Sequence, residues 1–148
     1  MASRAVATES AVGVVLAVVL GTSVAAVGLG ALPAAPAVAG ATLAVDGDRL
    51  VFTHRAGDPV DVRRLDVTVR VDGDPLRHQP PVPFFSARGF RPGPTGPFNA
   101  AADPTWTVGE RASIRLASTN HPPVVAGARV TVELRYDGRH LTTLTARA

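Results

Sequence analysis

From Ala11 to Leu32 the chain carries no charge, and its only polar side chains are Thr22 and Ser23. At the rise of an α-helix this stretch spans roughly 33 Å, enough to cross the ~30 Å hydrocarbon core of a bilayer. It therefore has three roles open to it: a removed export signal, a permanent anchor, or a helix that packs with other helices. A short head carrying Arg4 and Glu9 precedes it. The stretch is longer than the roughly 7–15 apolar residues of a secretory signal. Small residues recur at four-residue spacing, in the pairs Ala17/Gly21, Gly21/Ala25 and Ala26/Gly30. That spacing lets helices approach closely in lipid, although an Ala/Gly-rich sequence also produces such pairs by chance. Pro33 and Pro36 stop the helix, so residues 33–40 read as an Ala/Pro linker. Ala37-Val38-Ala39 forms an A-x-A before Gly40, which is the pattern of a signal-peptidase site.

Beyond the linker the hydrophobic period changes to two. Thr42 to Val45 and Arg49 to His54 read as a hairpin with an Asp46-Gly47 turn, and Leu50, Phe52 and His54 share one side. Leu65, Val67, Val69 and Val71 alternate with Asp66, Thr68 and Arg70. Val130, Val132, Leu134 and Tyr136 form a second alternating set, followed by Asp137-Gly138. In the return strand the alternation breaks at Leu141-Thr142-Thr143-Leu144, which predicts a bulge or an edge position. Between these strands, residues 77–104 form a long Pro-rich segment with four phenylalanines, Phe84, Phe85, Phe90 and Phe98. A disordered segment is poor in aromatics, so this one is expected to pack over one end of its own sheets or against a neighbouring subunit. About seven short strands with regular turn signals and no helix pattern after Leu32 predict an all-β antiparallel sandwich of Ig-like type over residues 41–148.

The chain has no cysteine, which excludes a disulfide framework, a thiolate zinc site and a cysteine nucleophile. Its basic residues are all arginine, and the net charge is only +3. The one close basic pair, Arg63-Arg64, sits beside Asp61 and Asp66, so no basic tract points to nucleic acid. His54, His78, His121 and His140 lack the spacing of a metal site and read as solvated or core-edge histidines. The aspartates cluster before glycine in turns, where Asx-turn chemistry explains them better than calcium. No nucleophile elbow, zinc-protease helix or phosphate loop is present. No catalytic residue, metal or cofactor is expected, and the chain is expected not to be an enzyme.

Two regions resemble the archaeal type IV pilin-like family, particularly the pilins of halophilic archaea. The first is Ser3-Arg4-Ala5-Val6 ahead of Ala11-Val12-Gly13-Val14-Val15-Leu16, which looks like a prepilin processing site before the apolar helix. The second is the segment from Thr53 to Leu65, in which His54, Gly57 and Asp58 match a His-x-Gly-Gly-Asp motif and Ala56 stands at its first glycine. The resemblance implies a leader over residues 1–5, recognised through Arg4 and cut between Ala5 and Val6 by a prepilin peptidase. It implies that residues 6–32 remain as a helix, held first in membrane lipid as a single-pass span. That helix then packs against copies of itself or other pilins through Ala17, Gly21, Ala25, Ala26 and Gly30. The expected product is a structural subunit of a surface filament, exposed outside the cell and serving adhesion. The alternative is an extracellular β-sandwich binding module, either anchored by an uncleaved span or secreted after Ala39.

Overall fold

The computed structural model describes residues 38–148. The processing residues Arg4, Ala5 and Val6, the spaced small residues from Ala17 to Gly30 and the expected helix lie outside the described residues. Nine strands occur among those described, three of them only two residues long. They are β1 (Ala39–Asp46), β2 (Arg49–Gly57), β3 (Val60–Asp61), β4 (Leu65–Val71), β5 (Asp74–Pro75), β6 (Thr105–Trp106), β7 (Arg111–Arg115), β8 (Arg129–Tyr136) and β9 (Arg139–Arg147). All strand pairs are antiparallel, in sheets ordered β1-β2-β7, β3-β6 and β5-β4-β8-β9. The described region is thus all-β, in an arrangement consistent with a β-sandwich. No helix among the described residues is long and apolar enough to cross a membrane.

The period-two strands place their apolar sets as expected. Leu50, Phe52 and His54 are buried on β2, Val67, Val69 and Val71 on β4, and Val130, Val132 and Leu134 on β8. Together with Ala112 and Ile114 of β7 the apolar members form one contiguous core. Each fully buried Leu, Ile, Val or Phe contributes roughly 1.5–3 kcal/mol relative to exposure, so these four strands and the buried aromatics outside them, Phe84, Phe90, Phe98 and Trp106, together supply the driving force. Tyr136, expected inward, is only half-buried, and its hydroxyl accepts a 3.3 Å hydrogen bond from the Asp61 N–H. The polar tip explains its place at the core margin.

The hairpins follow their turn chemistry. Asp72-Gly73 and Asp137-Gly138 are the central pairs of two-residue turns, and all four residues have positive φ, as a type I′ turn requires. The first hairpin differs by one position from the expected Asp46-Gly47 turn. Asp46 remains in β1 opposite Arg49, and Gly47-Asp48 forms the connection. This register sets opposite charges across the strands and Leu43 against Phe52, both favourable cross-strand pairs. β1 begins at Ala39 and pairs with Gly57, two residues earlier than the sequence pattern indicates. In β9 the pairing skips Leu141, so the broken alternation is a bulge, and β9 is also the edge of its sheet.

The segment 77–104 is an ordered part of the domain. Phe84, Phe90 and Phe98 are buried, whereas Phe85 is 61% exposed. Phe98 packs on Phe52 and Trp106, with ring centroids 5.4 and 5.5 Å apart. Thr95 and Ser113 exchange backbone hydrogen bonds of 3.0 and 3.3 Å, and the Arg91 N–H donates to the Arg115 carbonyl at 2.8 Å. The segment therefore pairs with the outer edge of β7, which would otherwise present free N–H and C=O groups. Close approach is possible because residue 96 is glycine: a Cβ there would lie 2.1 Å from the Arg111 carbonyl oxygen.

Candidate functional site

His54 is the natural starting point, because it is a buried titratable group within the motif that carries the family resemblance. It follows Leu50 and Phe52 on the inward side of β2, so strand parity alone takes it into the core, where it is 1% exposed. Its ring meets Trp106 edge-on at 5.3 Å. Its Nε2 lies 2.8 Å from the Asp58 carbonyl oxygen. A carbonyl can only accept, so Nε2 carries the hydrogen. Nδ1 has no hydrogen-bond partner. The backbone of His54 continues the pairing beyond β7: its N–H donates to the Glu110 carbonyl at 3.1 Å and its carbonyl accepts from Gly109 at 2.8 Å. Trp106 Nε1 donates to that same Glu110 carbonyl at 2.9 Å. The Glu110 carboxylate closes its own turn, accepting from the Thr107 N–H and hydroxyl at 2.8 and 2.6 Å.

The structure thus brings His54 and Asp58 together, but through the Asp58 backbone and not its carboxylate. Gly57 ends β2 between them. The imidazole faces the indole and is shut off from solvent. This cluster is a corner that fixes where the chain leaves β2 and enters β3. The backbones of His78 and His121 meet at Asn120 while His140 lies apart on β9, and no group of three or more His, Asp or Glu residues able to hold a metal occurs among the described residues.

After β3 the chain makes a single 3-10 turn, Val62–Arg64, capped by Asp61. Asp61 Oδ1 accepts from the Arg63 N–H at 3.0 Å, and its two oxygens take the Arg63 guanidinium at 2.9 and 2.8 Å. These bonds hold the Asp61 carboxyl down at about 2, with the Arg63 side-chain hydrogen bond the largest cause. Arg64 pairs with Asp137 across the domain, its Nε donating to Oδ1 at 2.8 Å, and lies 4.9 Å above the Tyr136 ring. The Arg63-Arg64 doublet is therefore neutralised residue by residue. Asp48 likewise serves two arginines, Arg91 at 3.1 Å and Arg115 at 3.4 Å, beside an open pocket of about 230 Å³.

Two amides matter that the sequence pattern does not single out. Asn120 is 1% exposed. Its Oδ1 accepts from His78 and His121 N–H groups at 3.1 and 3.0 Å, and its Nδ2 donates to the His78 and Gly89 carbonyls at 3.0 and 3.1 Å. Gln79 acts on β4 as a surrogate peptide, accepting from the Val69 N–H at 2.7 Å and donating to the Val69 carbonyl at 3.0 Å. The only signal for either is an uncharged amide within a Pro-rich loop, where the backbone has few partners of its own. No family model matches the chain, and no curated protein aligns with it significantly.

Proposed function

We propose that this chain is a structural subunit of a type IV pilus-like surface filament, with an Ig-like β-sandwich facing outward. The observation that carries the reading is the uncharged stretch from Ala11 to Leu32, with its four-residue spacing of small residues, placed just ahead of an all-β domain. A removed signal has no use for that spacing, whereas a helix that packs with its copies needs it. The Arg4-Ala5-Val6 site before the stretch and the His54, Gly57 and Asp58 motif after it point the same way. In this reading the prepilin peptidase cuts between Ala5 and Val6, lipid holds the subunit until assembly, and adhesion is the role of the exposed domain. The competing secretory cut after Ala39 fits less well. Ala39 pairs with Gly57 in β1, so a chain starting at Gly40 would begin inside a strand.

Replacing Gly21 with Leu puts a large side chain where helices are expected to touch. Gly21→Leu should remove the protein from the filament fraction sheared off cells while its membrane level stays the same. Normal recovery of the variant in sheared filaments would contradict the assembly role.

A further inference from the structure

The outward face of the four-stranded sheet carries a corner where two arginines stand opposite each other. Val130, Val132 and Leu134 of β8 are buried, so Arg129, Thr131, Glu133 and Arg135 point away from the core. Arg147 of β9 stands directly opposite Arg129, and Arg70 of β4 stands opposite Thr131. Like charges directly opposite each other on neighbouring strands are destabilising. Neither Arg129 nor Arg147 belongs to an ion pair among the described residues. Asp72 lines the same corner, but its Oδ1 accepts from the Arg129 backbone N–H at 2.9 Å. A second opposed pair, Arg49 and Arg115, is a contrast: Asp46 stands opposite Arg49, and Asp48 lies 3.4 Å from Arg115. Around Arg129 and Arg147 the Asp72 carboxylate lines the corner without reaching ion-pair distance of either guanidinium.

The corner also has a shape. An open pocket of about 410 Å³ is lined by Asp72, Gly73, Arg129, Thr131 and Arg147. Arg147 Nη1 donates to the Gly127 carbonyl at 3.1 Å, which holds that guanidinium at the rim. The positive charge is short-ranged along the sheet, because Glu133 follows about 13 Å from Arg129 at the rise of a strand. That length suits one anionic group and not a phosphate track. The outward residues of β4, β8 and β9 near this corner include no Phe, Tyr or Trp on which a base could stack, which disfavours nucleic acid. Guanidinium groups bind oxyanions through paired N–H donors, and the Thr131 hydroxyl beside them suits a neutral polyol.

We propose that Arg129 and Arg147 bind one oxyanion group, a sulfate or a carboxylate, carried on an acidic saccharide, with Thr131 contacting the sugar. The proposal concerns the β-domain alone and stands whether or not the filament reading holds. The test is thermal unfolding of the full chain in detergent, followed by the fluorescence of Trp106, at fixed ionic strength. A sulfated disaccharide and a uronate-containing disaccharide are the probes, with inorganic sulfate and a neutral disaccharide alongside. At saturation one of the acidic disaccharides should raise the midpoint by about 5 °C or more. The R129Q/R147Q variant should lose that shift and start from a higher midpoint, because its opposed charges are gone. The R88Q/R139Q variant, which removes the same charge elsewhere, should keep the shift. No shift in the native chain, a shift that survives R129Q/R147Q, or one lost equally in R88Q/R139Q would overturn the site. An equal shift from inorganic sulfate at the same anion concentration, or from the neutral disaccharide, would overturn the acidic saccharide as its ligand.

Discussion

Asn120 shows how much one side chain can hold. Its amide uses both polar atoms twice, on four backbone groups from three segments that share no ladder. Replacing it with alanine strips this partner from the His78 N–H and carbonyl and from the His121 N–H, while the Gly89 carbonyl keeps its bond from the Ala117 N–H. A buried group stripped of its hydrogen bond costs about 1–3 kcal/mol, and partial rearrangement limits the sum. Asn120→Ala should therefore destabilise the domain by about 3 kcal/mol in urea unfolding followed by Trp106 fluorescence. A loss below about 1 kcal/mol would mean the segments are tied by something else. His54 illustrates the opposite lesson. A histidine in a recognisable motif invites a chemical role, yet parity on β2 sends it inward against Trp106, and the motif's aspartate meets it through a backbone carbonyl. Asp61 is held ionised by Arg63 through a turn of three residues, a local contact in which each partner neutralises the other.

Among the elements, the segment 77–104 behaves as part of the sheet in all but regularity. Thr95 and Arg91 pair with β7, and three of the four phenylalanines enter the core. Phe98 fits between Phe52 and Trp106, so Phe98→Ala should cost about 3–5 kcal/mol. Phe85→Ala, at a site 61% exposed, should stay within about 0.5 kcal/mol. Equal effects in parallel urea titrations would refute the packing described. That difference between neighbours was not legible in the residues. Phe84 and Phe85 are chemically identical, and what separates them is a bridge from Phe84 to Asn99, fifteen positions away. The strands β2, β4 and β8 could be read because a half-buried strand writes its parity into the residue order. The bulge at Leu141 could be read for the same reason, as a break in that parity. The β3–β6 pair could not, since two-residue strands have no period. Val60 and Trp106 are nevertheless among the most buried residues of the domain.

At the scale of the whole molecule the chain divides into an uncharged N-terminal stretch and an all-β domain built without disulfides. The domain's side chains are mostly spent on one another: guanidinium on carboxylate, amide on backbone, indole on imidazole. At the corner of Arg129 and Arg147, on the face turned away from the core, two guanidinium groups stand opposite each other with no ion pair among the described residues. A small domain that keeps an opposed pair of charges gives up some stability, which is the usual condition of a binding surface. The role of the N-terminal stretch decides whether that surface is displayed on a filament, on an anchored protein or on a released one. Intact mass combined with N-terminal sequencing of the mature protein tests this most directly. A filament subunit should begin at Val6 with the apolar stretch retained, and a mature chain beginning at Gly40 would contradict the assembly role.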